Sequence, residues 1–149
     1  MEEEEQKQDL KKFGIGKIFL ESIQSLLLKA NYSSQCGDYS GWRNYLDWII
    51  RKCSGRLTQE EEEDINDKTA EVDMLSIRHT IRCVKDQKKT DNSISKQTII
   101  VGRKYTMALA EYEKIIVQTL DRLGWLIPSD KKTRRTQWIM KKYQQFLFL

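Results

Sequence analysis

Between residues 101 and 123 the side chains suited to burial return every three or four positions. Val101, Tyr105, Ala108, Leu109, Tyr112, Ile115, Ile116, Thr119, Leu120 and Leu123 fall on one broad face when the chain winds at about 100° per residue. A strand alternates with period two and would turn half of such a set toward water. The same rhythm recurs upstream, and only one proline and seven glycines interrupt 149 residues. That scarcity favours long regular elements over a turn-rich β fold. The expected fold is all-α, a single-domain bundle of about five amphipathic helices.

The first helix is expected on Ile15, Ile18, Phe19, Ile23, Leu26, Leu27 and Ala30, after a frayed acidic segment over 1–12. The helical domain then covers 13–149. Gly14 and Gly16 lack the third glycine and the preceding strand that dinucleotide binding needs. Residues 31–39 read as a loop, with Asp38 or Ser40 capping the second helix. Its stripe is Trp42, Tyr45, Leu46, Ile49, Ile50 and Cys53, with Trp48 off it, and Ser54-Gly55 ends it. A third helix opens on the capping-box pair Thr58 and Glu61 and runs to about Lys88. The fourth runs from about Ser95 to Leu123, with Gly124 as its C-terminal cap and Trp125 plugging the end of the bundle. The β-branched run Thr98-Ile99-Ile100-Val101 suits a short strand, but the continuous pattern downstream outweighs it. A basic fifth helix starts at about residue 129, on Ser129 and Asp130.

The third helix carries two stripes. Ile65, Val72, Leu75, His79 and Cys83 lie on one side. Ala70, Met74, Ile77, Ile81 and Val84 step by four, three, four and three on another, a short heptad-like seam. One stripe faces the core of the domain. The other needs a second cover, and self-association through Ala70, Met74, Ile77, Ile81 and Val84 is the expectation.

The fifth helix is also two-faced. Ile139, Met140, Tyr143, Phe146 and Leu147 share an arc of about 120° that docks on the domain. Trp138 points nearly the other way, with Arg134 and Arg135 one turn before it and Lys141 and Lys142 one turn after. Basic stems lying over an indole shield it and gain a cation–π contact. The same ring of cations also makes a contact patch. Trp and Arg are among the residues that most often carry interface energy, so Arg134, Arg135, Trp138, Lys141 and Lys142 are the expected partner-binding residues.

Charge is unevenly spread. Residues 1–94 hold 15 Lys+Arg and 18 Asp+Glu, whereas residues 95–149 hold 11 and 4. The basic half attracts an acidic protein or phosphate. Arg103, Lys104 and Lys114, on the polar side of the fourth helix, are the residues that extend a phosphate-contacting stripe. No run of apolar residues is long enough to span a bilayer. The acidic start is wrong for a secretory leader, and three cysteines suit reduced thiols, so a cytoplasmic or other reducing intracellular compartment is expected. A small, charged, helix-rich chain without motifs also matches the general look of viral or mobile-element proteins.

No constellation for chemistry stands out. His79 and Cys83 share a helical face, and with Cys36 and Cys53 they supply ligand types that zinc accepts. Cys36 and Cys53 are seventeen positions apart, unlike the short knuckles that zinc sites draw on, so neither metal nor cofactor is expected. The acid runs are consecutive and share one environment, whereas catalytic carboxylate pairs need different ones. The expected function is therefore non-enzymatic: a protein–protein interaction or assembly protein, a small helical subunit or adaptor. The alternative is a nucleic-acid-associated accessory protein using the basic C-terminal half.

Overall fold

The computed structural model describes residues 16–91 and 93–126. Every regular element among them is an α-helix: α1 (Lys17–Gln35), α2 (Tyr39–Lys52), α3 (Gln59–Gln87) and α4 (Lys96–Arg122). The all-α class stands. The structure describes four helices against the five expected, and the fifth, from about residue 129, lies outside the described residues. So does the acidic segment 1–12. The run 98–101 is helical throughout, because its β-branched residues open the long pattern of α4.

The described residues form two compact units, one of 16–55 with 116–126 and the other of 56–115. In the first unit α2 packs on α1 and folds back along it. The reversal takes only Cys36, Gly37 and Asp38. Gly37 adopts φ 72°, where a Cβ is costly. The Asp38 N–H then donates to the Ser33 carbonyl at 2.9 Å, closing α1 in a Schellman arrangement. This corrects the expected loop at 31–39. Asn31 to Gln35 are polar and look loop-like, yet the helix continues to the point where glycine can end it. Asn31 and Ser33 are buried there.

Asp38 also starts α2, its carboxylate accepting from the Gly41 N–H at 2.9 Å. A Cβ on Gly41 would sit 2.3 Å from Asp38 Oδ2, so a side chain at that position would displace the capping carboxylate. Ile23, Leu27, Ala30, Trp42, Leu46, Ile49, Cys53, Ile116, Val117, Leu120 and Trp125 are the buried apolar residues of the first unit. Burial of an aliphatic side chain of this size contributes roughly 1.5–3 kcal/mol. Gly124, at φ 76°, ends α4, and the Trp125 N–H reaches back to the Leu120 carbonyl at 2.8 Å. That turn drives the Trp125 indole inward, edge-on to Phe19 with centroids 5.0 Å apart. Lys52, at the end of α2, lies over the other partner, 5.2 Å from the Phe19 ring centre. Trp48 is about half exposed, and the Arg51 guanidinium stands 5.2 Å from its ring, the shielding that basic stems give an exposed indole.

In the second unit α3 and the first part of α4 form an antiparallel pair. The Thr58 hydroxyl accepts from the Glu61 N–H at 3.1 Å, and the Glu61 carboxylate accepts from the Thr58 N–H at 2.8 Å, completing the capping box. Glu60, Glu61 and Glu62 then sit in the first turn, where the helix dipole favours negative charge. Near that end Lys68 bridges Glu71 at 2.7 Å and Glu111 on α4. Farther along, His79 tilts against Tyr105, centroids 5.9 Å apart. At the far end the Ser95 N–H donates to Asp86 at 3.0 Å, and the Ser95 hydroxyl accepts from the Thr98 N–H at 3.2 Å. One acid thus ties the end of α3 to the start of α4.

Candidate functional site

The second unit settles which stripe of α3 is covered. Ile65, Val72 and Leu75 are buried, and His79 and Cys83, on the same side, are half-buried. Ala70, Met74, Ile77, Ile81 and Val84 lie on the opposite side of the helix, and all are exposed. Among its large side chains Ile77 is the most open, at 62%. The row is continuous, because steps of four and three keep its members on one line. Scattered single apolar residues are ordinary on a surface; a contiguous strip is a contact feature.

The α4 helix adds apolar surface of its own. Ile99, Ile100 and Met107 are exposed large side chains outside its buried face. Met107 and Met74 both line a groove of about 190 Å³ between α3 and α4, together with Leu75, Ala108, Lys104 and Glu111. Sequence reading passed over these three because the buried face of α4 dominates its periodicity. Their signal was present: Ile100 and Met107 are seven apart and fall on one side.

Arg103 and Lys104 are exposed on α4 and Lys114 is half-buried. Arg134, Arg135, Trp138, Lys141 and Lys142 lie outside the described residues. Cys36 is exposed and Cys53 buried in the first unit, and Cys83 is half-buried in the second. Cys83 Sγ lies 3.7 Å from His79 Nε2, a thiol–imidazole contact one helical turn long. Among the described residues no group of three His, Cys, Asp or Glu side chains assembles as a metal site would require. Hydrogen bonding to Cys36 one turn on raises the Tyr32 phenol above its ordinary value, helped by the thiol's charge and by burial.

Two electrostatic features hold the second unit together. Burial lowers the Lys68 ammonium, but its hydrogen bonds and charge contacts with Glu111 and Glu71 outweigh this and leave it raised. Asp86 is pulled down to about 2, first by its hydrogen bond with Thr98, then by the Ser95 N–H and by Lys89. Sequence reading missed Asp86, since its partners lie beyond a turn whose path the pattern does not encode.

This arrangement presents apolar surface along a helix. No family model, no curated protein and no solved structure matches the chain. No helix among the described residues is long and apolar enough to cross a membrane.

Proposed function

We propose that this chain is a non-enzymatic interaction or assembly protein that engages a protein partner through the outer row of α3. The observation that supports this is the exposure of Met74, Ile77, Ile81 and Val84 on one line, opposite the buried Val72 and Leu75. Helix-in-groove and helix–helix recognition use apolar anchors at this spacing. The basic helix expected around Trp138, with Arg134, Arg135, Lys141 and Lys142, supplies a second contact of different chemistry.

Affinity capture from the native host tests the reading. Wild type is compared with Ile77→Lys/Ile81→Lys and with Arg135→Ala/Trp138→Ala. A partner retained by wild type and lost from the first variant supports it. Identical captured sets from wild type and both variants count against it.

A second reading makes the chain a nucleic-acid-associated accessory protein, favoured by the exposed Arg103 and Lys104 on α4. Ile99, Ile100 and Met107 interrupt those cations with exposed apolar surface, which suits a protein better than a phosphate backbone. Binding to mixed DNA and RNA at two salt concentrations separates the readings, because a phosphate-driven contact weakens steeply as salt rises.

A further inference from the structure

We infer that the occupant of the outer row is a second copy of this chain, packed antiparallel along α3. The inference rests on the interaction reading above and names its partner.

The row does not stop at its apolar ends. Extending the same alternation of steps four and three leads back from Ala70 to Asp67 and Glu63, and forward from Val84 to Lys88. Glu63, Asp67 and Lys85 on α3, and Lys88 at its C-cap, are all exposed. One line along the helix therefore reads acid, acid, five apolar positions, base, with Lys85 beside its basic end. The whole helix is segregated in the same sense. Residues 59–73 hold eight acids and one base, and residues 74–89 hold five bases and one acid.

A helix's own dipole rewards acids in its first turn and bases in its last, but the effect fades within that turn. Asp67 and Asp73 lie well beyond the first turn of α3, and Arg78 and Arg82 stand before its last. Charge placed so far inside, on either side of an apolar centre, is complementary to a reversed copy of itself. Parallel pairing sets Glu63 against Glu63, Asp67 against Asp67 and Lys88 against Lys88. Antiparallel pairing about a two-fold axis near Ile77 brings Asp67 of each copy opposite the turn that holds Lys85 and Lys88 in the other, with Glu63 within a turn of Lys88. Such an interface is isologous and closes at two copies.

The heptad spacing suits left-handed packing at about +20°, with Met74, Ile77, Ile81 and Val84 interdigitating. A single helical row sits at the low end of specific interfaces, below ~1,200 Å² in total, so the dimer is reversible and concentration-dependent. The acidic end of the row also repels phosphate, which argues against a nucleic-acid occupant along this face.

Sedimentation equilibrium of the full chain over a concentration series reads the result. Wild type is expected to pass from monomer to dimer. Ile77→Lys/Ile81→Lys is expected to remain monomeric with its helical circular dichroism intact. Glu63→Lys/Asp67→Lys and Lys85→Glu/Lys88→Glu are each expected to weaken the dimer roughly tenfold or more through like-charge contacts. Combining all four exchanges is expected to restore it, which a parallel arrangement does not do. Exchanges that leave the dimer unchanged overturn the antiparallel arrangement. A dimer indifferent to Ile77→Lys/Ile81→Lys overturns the row as the interface. A strict monomer at every concentration overturns the second copy as occupant. In that case a different protein captured by wild type and lost from Ile77→Lys/Ile81→Lys still sustains the interaction reading, so the two failures are distinguishable.

Discussion

Asp86, in the last turn of α3, accepts a hydrogen bond from the Ser95 N–H at 3.0 Å, and Ser95 is the residue that opens α4. The contact joins a helix end to a helix start and fixes where the chain turns. A backbone N–H at a helix start has no partner within its own helix, so a carboxylate placed there satisfies it and meets the positive end of the dipole.

Acid should therefore loosen the second unit in a way that Asp86→Asn removes. The folded-state carboxyl is held at about 2, below its ordinary 3.8. A depressed carboxyl stabilises the fold above its unfolded value, and that contribution drains away as pH falls from about 3.8 through about 2. Urea unfolding of wild type and Asp86→Asn should differ at pH 6 and converge near pH 2. A gap that persists unchanged at pH 2 would contradict the assignment.

Removing the cap of α3 has a narrower effect. Thr58→Ala deletes the hydroxyl that receives the Glu61 N–H at 3.1 Å. The expected loss is about 1 kcal/mol. It should show as a lower urea midpoint with an unchanged slope, since the surface exposed on unfolding stays the same.

The two faces of α3 should respond oppositely to truncation. Leu75 is 6% exposed, so Leu75→Ala leaves a cavity and should cost about 2–5 kcal/mol. Ile77 is open to solvent, and Ile77→Ala should change the stability of the monomer by no more than about 0.5 kcal/mol. Chemical denaturation at low protein concentration compares them. Equal costs would mean that the outer row is covered within the chain.

Alkaline pH probes the other end of the helix pair. Lys68 is raised by Glu111 and Glu71 despite burial. A raised ammonium stabilises the fold below its unfolded value of 10.5 and loses that contribution as pH climbs through the folded value. Both glutamates are about half exposed, so solvent screening keeps the effect of Lys68→Met at pH 7 within about 1 kcal/mol. Wild type and variant should converge as pH climbs above 10.5 and through the folded value in a melting series.

Much of the fold was legible in the sequence, for reasons that are local. Thr58 and Glu61 satisfy each other's backbone within one turn, Gly124 ends α4 because it alone tolerates φ 76°, and the 3.6-residue rhythm needs only neighbours to be read. The misreading at 31–35 has a physical source. Asn31, Ser33 and Ser34 have weak helix preference, and burial against the rest of the first unit, together with the Schellman turn at Gly37, overrode it.

The sequence by itself determined that α3 is a helix, where it starts, and that two of its sides are apolar. Tertiary structure alone decided that Val72 and Leu75 go inside while Met74, Ile77, Ile81 and Val84 stay out. Periodicity records that a face is apolar but not what lies opposite it. That depends on α4 returning along one side of α3, a path set by the short turn before Ser95 and by Asp86 holding it in place. Only then does one of two similar stripes become core and the other a surface.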